Sequence, residues 1–177
     1  FIMLAIQVGI KELEPLIGRD YKVLMWKGEL LHIHTSPAAG LNMESHKSVS
    51  LISGSGLEGD RHQRGTGKYS EIKDIREVTL IEIETLEALN RDYNIIVEPT
   101  EHRRNLTTRD VPLNHLVGKR FRVGEVLLLG GRLNTPCRYL NLVTKKNICD
   151  LLEHRLGLNC SIVESGTVIV GDKIQLL

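Results

Sequence analysis

The strongest constraint in this chain is its punctuation. Ten short β-prone runs, at 22–25, 30–34, 49–52, 78–81, 95–97, 121–123, 126–129, 161–163, 168–169 and 173–176, are separated by turn-forming residues. None is long enough for an extended sheet, and glycine separates several of them. Phe121, Arg122 and Val123, then Gly124, then Val126, Leu127 and Leu128, read as strand, turn, strand. Gly166 and the Gly171–Asp172 pair divide the C-terminal runs in the same way. Many short strands joined by glycine turns predict a mainly β protein, a sandwich or barrel.

Two helical segments interrupt the strands. Ile83, Leu86 and Leu89 recur at intervals of three, which predicts a helix near 82–91 with one apolar side. Thr79 and Glu82 have the spacing of a capping box for it. A second stripe, Ile148, Leu151, Leu152 and Leu156, predicts a helix near 145–156, with Thr144 as N-cap and Gly157 as a left-handed stop.

With 177 residues the chain suits one domain, and 23 basic against 22 acidic side chains argue against a general nucleic-acid coat. Aromatic content of 4% also disfavours a base-stacking surface. No apolar run approaches the roughly 20 residues of a membrane span. Three cysteines, Cys137, Cys149 and Cys160, form no C-x-x-C pair, so no disulfide framework is expected and a reducing, cytoplasmic setting is. Residues 1–25 read as an N-terminal extension or extra strand, and 26–177 as the folded domain. Oligomeric state has no signature in the chain.

Chemistry-bearing residues gather in three clusters. The first, Gly54 to His62, combines three glycines with Asp60, Arg61 and His62, a base, a cation and an imidazole in one loop. The polar stretch at 63–73 reads as a flap over a pocket. The second is His102, Arg103, Arg104 and Asn105, where arginine forks suit a phosphate or carboxylate. His102 beside two arginines should resist protonation. The third is Arg132-Leu133-Asn134-Thr135-Pro136-Cys137-Arg138-Tyr139, in which Pro136 stiffens the approach to Cys137. Arg132 and Arg138 would favour its thiolate, able to attack a sulfur donor, hold a persulfide or ligate a soft metal. Cys149 and Cys160 read as small packing residues. His32 and His34 share one strand face, and no histidine or cysteine spacing suggests a structural zinc.

Taken in order, these motifs resemble the MOSC family, the domain named after the C-terminal part of molybdenum cofactor sulfurase. The resemblance runs from Leu57-Glu58-Gly59-Asp60-Arg61-His62, through Arg103-Arg104-Asn105 and Thr135-Pro136-Cys137, to Gly166-Thr167-Val168 and Gly171-Asp172-Lys173. It implies a strongly curved, largely antiparallel β-barrel with a few peripheral helices, in a small standalone member.

It also implies a pocket built on Cys137. The first function it implies is sulfur carriage for metal–sulfur or molybdenum cofactor assembly. Cys137 would accept sulfane sulfur from a pyridoxal-phosphate-dependent cysteine desulfurase and pass it on, with Asp60 and His62 as catalytic neighbours. The alternative is a molybdenum-cofactor-binding reductase component for N-hydroxylated compounds. There Cys137 would ligate molybdenum, and Arg61, Arg103, Arg104, Asn105 and Arg138 would hold the cofactor. A third possibility is a non-catalytic binding barrel. The chain shows no pyridoxal-phosphate domain and no electron-transfer domain, so a sulfur donor or redox partner would be a separate protein.

Overall fold

The computed structural model describes residues 26–71 and 76–177. The expected strand at 22–25 and the N-terminal extension lie outside them. The elements in chain order are β1 Gly28–Thr35, β2 Glu44–His46, β3 Ser48–Ile52, β4 Gly56–Leu57, β5 Val78–Glu82, α1 Ile83–Tyr93, β6 Leu106–Arg109, β7 Arg120–Val123, β8 Val126–Leu133, α2 Arg138–Thr144, β9 Leu158–Glu164, β10 Gly166–Ile169 and β11 Lys173–Leu176. Short 3-10 turns occupy Leu113–Leu116 and Asp150–Leu152.

Seven strands close a barrel in the order β11-β7-β8-β9-β5-β6-β1, because β1 pairs again with β11 through Gly28 opposite Ile174. All pairings are antiparallel except β5–β6, where Leu80 stands beside Leu106 in parallel register. The expected largely antiparallel barrel is therefore present. β2 adds to the edge of β1, and β10-β3-β4 form a separate small sheet. Closure leaves the seven barrel strands without an unpaired edge. Among the described residues, no helix is long and apolar enough to cross a membrane.

Two apolar clusters hold the fold. Alternate residues of the strands, including Leu30, Val78, Leu80, Leu106, Phe121, Leu128, Leu158 and Ile162, fill the barrel. Ile81, one residue out of phase with Leu80, faces an outer cluster with Leu86 and Leu89 of α1 and with Leu140, Ile148, Leu152 and Leu156. β5 is thus buried on both faces, which explains its unbroken apolar character.

The first helix matches its stripe, but its cap differs. Glu82 occupies the N-cap without a side-chain hydrogen bond, while Thr79 stays in β5 and bonds Asn105. The second helix is displaced. α2 covers Arg138–Thr144 and stops at Lys145, whose φ is +56°. Thr144 does not cap a following helix; its hydroxyl donates back to the Leu140 carbonyl at 2.8 Å. Asn141 Oδ1 accepts the N–H groups of Ile148 and Cys149, so those amides are satisfied without a helix. Ile148, Leu152 and Leu156 of the stripe still bury and Leu151 does so in part, because burial followed their spacing and not the element type.

The run at 95–97 alternates correctly, with Val97 buried and Ile96 exposed, yet it pairs with no strand. β2, β4 and β6 lacked a sequence signal. β6 is Leu-Thr-Thr-Arg, and its two fully buried threonines bond His102 and the Ile81 carbonyl.

Gly157 shows how tightly the layers meet. Its φ is +86°, and an added Cβ would stand 1.8 Å from the Leu80 carbonyl oxygen. Gly157→Ala is expected to cost about 3 kcal/mol or more, from left-handed strain plus overpacking. Gly54→Ala, where φ is +75° but nothing lies within 4 Å, should cost only about 1 kcal/mol. Chemical denaturation of the two variants beside wild type measures the difference.

Candidate functional site

A cavity of about 500 Å³ lies where the outer cluster meets the barrel, since Leu140 and Leu156 of that cluster line it together with Arg132 from the end of β8. Its wall brings together parts of all three sequence clusters: Arg61 and His62, Arg103 and Arg104, and Asn134 to Cys137. Lys68, Tyr69, Arg76 and Tyr139 complete its polar lining. Among the described residues, six cationic side chains line the cavity and no carboxylate does. The near-neutral whole chain thus contains one concentrated positive concavity.

Asp60 builds the first cluster without lining the cavity. Its carboxylate is 1% exposed and accepts three hydrogen bonds: from the N–H of Ser36 at 3.0 Å, the N–H of His62 at 3.0 Å and Arg61 Nη1 at 3.1 Å. These contacts pin the loop after β4 to the end of β1 and aim Arg61. Arg61 donates further to the Arg103 carbonyl at 2.9 Å and to Met43 Sδ. Burial pushes the Arg61 guanidinium down against the opposing pull of Asp60. The sequence reading of Asp60 as a reacting group therefore meets a carboxylate engaged in loop construction.

The second cluster divides in the same manner. Arg103 has φ +67°, a strained shape held from both sides: its carbonyl accepts Arg61, and its guanidinium donates to the Leu41 carbonyl. Arg104 reaches the cavity, where burial and neighbouring Arg61 pull its guanidinium down to about 9, with Cys137 acting in the opposite sense. Its Nε is buried with no hydrogen-bond partner.

Asn105 is fully buried inside the fold and does not line the cavity. Its Oδ1 accepts the Thr79 N–H and hydroxyl, and its Nδ2 donates to the His34 carbonyl. In place of the expected phosphate clamp, Asn105 is a tie between strands.

Histidine charge is suppressed throughout this region. His62 is lowered to about 4, by burial first and by Arg61 next. His34 is likewise lowered to about 4 by burial and by the neighbouring His32 and His46. His102 lies well below its ordinary range; burial leads, and His34 and Arg104 follow, so the expected resistance to protonation has desolvation as its main cause. The Arg104 N–H donates to His102 Nδ1, so the His102 proton sits on Nε2 and is donated to Thr107 Oγ1.

Cys137 is half-buried at the N-cap of α2, in extended backbone, and not within the helix. The phenol of Tyr69 donates to its Sγ at 3.6 Å. Lys68 lies 4.2 Å from the Tyr139 ring centroid, and Arg76 stands over Tyr69. Tyr69 and Lys68 are site residues the sequence reading did not single out, while Asn134 and Tyr139 stood in its third cluster without an assigned role. Tyr69 and Lys68 fell in the expected flap, of which the described part, to residue 71, does line the cavity, while 72–75 lie outside the described residues. Arg138 is exposed and absent from the lining. Cys149 and Cys160 are buried, and burial raises both thiols. Among the described residues, no group of His, Cys, Asp and Glu could hold a metal ion.

Acid should weaken the fold through these histidines. Each has a folded-state value below the ordinary 6.5, so the unfolded chain takes up protons first and stability falls as pH drops from about 6.5 toward 4. His34, His62 and His102 together predict uptake of about two to three protons on unfolding near pH 5. His102→Asn should remove about one of them. Denaturant titrations across this pH range give the slope.

A family model described as MOSC domain matches residues 68–175. No curated protein sequence matches the chain. Among solved structures, the YUAD protein from Bacillus subtilis superposes with a TM-score of 0.70 at 17% identity, covering 85% of this chain and 97% of that one. YiiM from Escherichia coli gives 0.60 at 20%, covering 87% and 70%. YiiM from Geobacillus stearothermophilus gives 0.64 at 13%, covering 85% and 75%. At these identities the likeness concerns the fold.

Proposed function

The chain belongs to the MOSC domain family, and on that premise we propose that its cavity binds a phosphate-bearing anionic cofactor of the molybdenum-cofactor class, with Cys137 at the metal or sulfur end. The carrying observation is the pairing of space with charge. A single sulfane sulfur on a cysteine needs only one or two donors, whereas about 500 Å³ walled by six cations suits a larger polyanion. The sequence reading placed sulfur carriage first; the cavity shifts the weight to cofactor binding.

The residues fit such a group chemically. Arg61, Arg103 and Arg104 offer guanidinium forks for a phosphate, and among the described residues no lining carboxylate competes with it. Cys137 supplies a soft sulfur ligand of the kind molybdenum accepts. The bound group would supply redox chemistry at its metal. Neutral His62 offers the cavity wall a hydrogen-bonding imidazole that adds no charge. The Tyr69 phenol orients the Cys137 sulfur. Reduction of an oxidised nitrogen compound would draw electrons from a separate redox partner.

One observation favours sulfur carriage as a second reading. Cys137 is half-exposed and has a phenol donor beside its sulfur, an arrangement that suits a persulfide delivered by a separate desulfurase.

Wild type purified gently from a cofactor-replete host is expected to hold molybdenum and pterin in near-equal amounts. Arg104→Met and Cys137→Ser should each lower that occupancy at least fivefold. Metal analysis and pterin fluorescence read the result, and wild type devoid of both would sink the cofactor reading. Intact mass after incubation with a cysteine desulfurase tests the second reading. A 32-Da adduct that disappears in Cys137→Ser supports it; no adduct, or one that persists, defeats it.

A further inference from the structure

Lys68 enters the large cavity from a different element than the phosphate-facing arginines. It lines that cavity and not the one of about 300 Å³ beyond Pro136, and it is exposed, so an incoming atom can reach its ammonium. Its Nζ lies 4.2 Å from the centre of the Tyr139 ring and 5.7 Å from that of Tyr69. Among the described residues no carboxylate forms an ion pair with it. Phenol faces hold an ammonium without cancelling its charge, as a carboxylate would.

The turn that carries Lys68 is fixed in place. The Thr66 N–H donates to the Arg61 carbonyl at 2.9 Å, its hydroxyl donates to the Pro37 carbonyl at 2.7 Å, and its carbonyl accepts the Ala39 N–H at 3.0 Å. Gly67 and Ser70 then close on each other. The Gly67 N–H donates to Ser70 Oγ at 2.9 Å, and the Ser70 N–H donates to the Gly67 carbonyl at 3.1 Å. Lys68 and Tyr69 form the tip of this turn. The Tyr69 hydroxyl reaches Cys137 Sγ at 3.6 Å, and Tyr139 belongs to α2, whose N-cap is Cys137. The turn therefore sets a positive charge with no counter-carboxylate in the neighbourhood of the sulfur.

We propose that Lys68 forms a second anion subsite, separate from the arginine phosphate site, that draws a small carboxylate or oxyanion co-reactant to Cys137. This rests on the reading of Cys137 as the reacting end of the cavity and deepens it by naming the charge class of the reactant. An ammonium on a flexible stem, with three rotatable donors, suits small anions of varied shape, whereas guanidinium forks suit a phosphate held in one geometry.

Alkylation of the full chain at low ionic strength tests the subsite, with iodoacetate and iodoacetamide as probes that differ in charge and little in size. In both reactions the Cys137 thiolate displaces iodide and forms one S–C bond, so thiol ionisation cancels in the ratio of rates. Dividing by the same ratio for a free neutral thiol removes intrinsic reactivity. Wild type should then favour iodoacetate at least fivefold and take up a single adduct, because Cys149 and Cys160 are buried. Lys68→Met should lower the preference at least threefold, and Lys68→Arg should keep it within twofold. Arg138→Met, which removes an exposed cation absent from the cavity lining, should leave it unchanged. The single adduct, read by intact mass, verifies folding, and Lys68→Gln replaces any Lys68→Met sample that takes up more than one. Wild type without the preference, a Lys68 variant that retains it, or an equal loss in Arg138→Met overturns the subsite. Each of these leaves the cofactor reading standing, since that is decided by the metal and pterin content of wild type.

Discussion

The side chain of Asn105 is the tie on which the rest of the fold depends. Its amide oxygen accepts both the N–H and the hydroxyl of Thr79, and its amide nitrogen donates to the His34 carbonyl. Its own backbone donates to Thr79 and accepts from the N–H of His34. One buried residue thus joins β1 to β5 at the entrance to β6. That is where the barrel needs help, because β5–β6 is its one parallel pairing and must be joined across a long connection rather than a hairpin. A buried amide with its polar atoms bonded is stable inside a barrel; one left unpaired would not be.

The same tie creates the site. With Asn105 drawn inward, Arg104 and Arg103 are left at the barrel surface, where Arg61 meets the Arg103 carbonyl. Asp60 then fixes Arg61 from behind. The cationic wall is assembled by buried neutral and acidic residues that never reach the ligand space. Crowding these cations raises the free energy of the empty cavity, an expense that a bound polyanion would relieve. The depressed values of Arg104 and His62 record this crowding together with burial.

Much of this was legible in the chain. Short strands with glycine turns indicated a β-sandwich or barrel, and the ordered motifs indicated the family, whose resemblance implied the barrel. Cys137 stood out from Cys149 and Cys160 by its proline and arginine neighbours, and the structure places only Cys137 in the large cavity. Arg61, His62, Arg103 and Arg104 were identified because clustered charges are locally visible. Asp60 and Asn105 were identified too, but as ligand-facing groups. Their residue types announce hydrogen bonding without saying to what. Tyr69 and Lys68 had no individual signature within the expected flap, and Asn134 stood beside Cys137 without a role, since their placement depends on which segments fold together there.

Local pattern alone determined where apolar residues would bury, and it did so even where it misnamed the element, as for Ile148, Leu152 and Leu156. Burial follows side-chain spacing, which is a property of the chain. Only the tertiary structure decided which polar residues face the cavity and which hold the frame. A carboxylate or amide is equally suited to both, and the choice is made by partners far away in sequence: Ser36 for Asp60, Thr79 and His34 for Asn105, and Gly157 for Asn134.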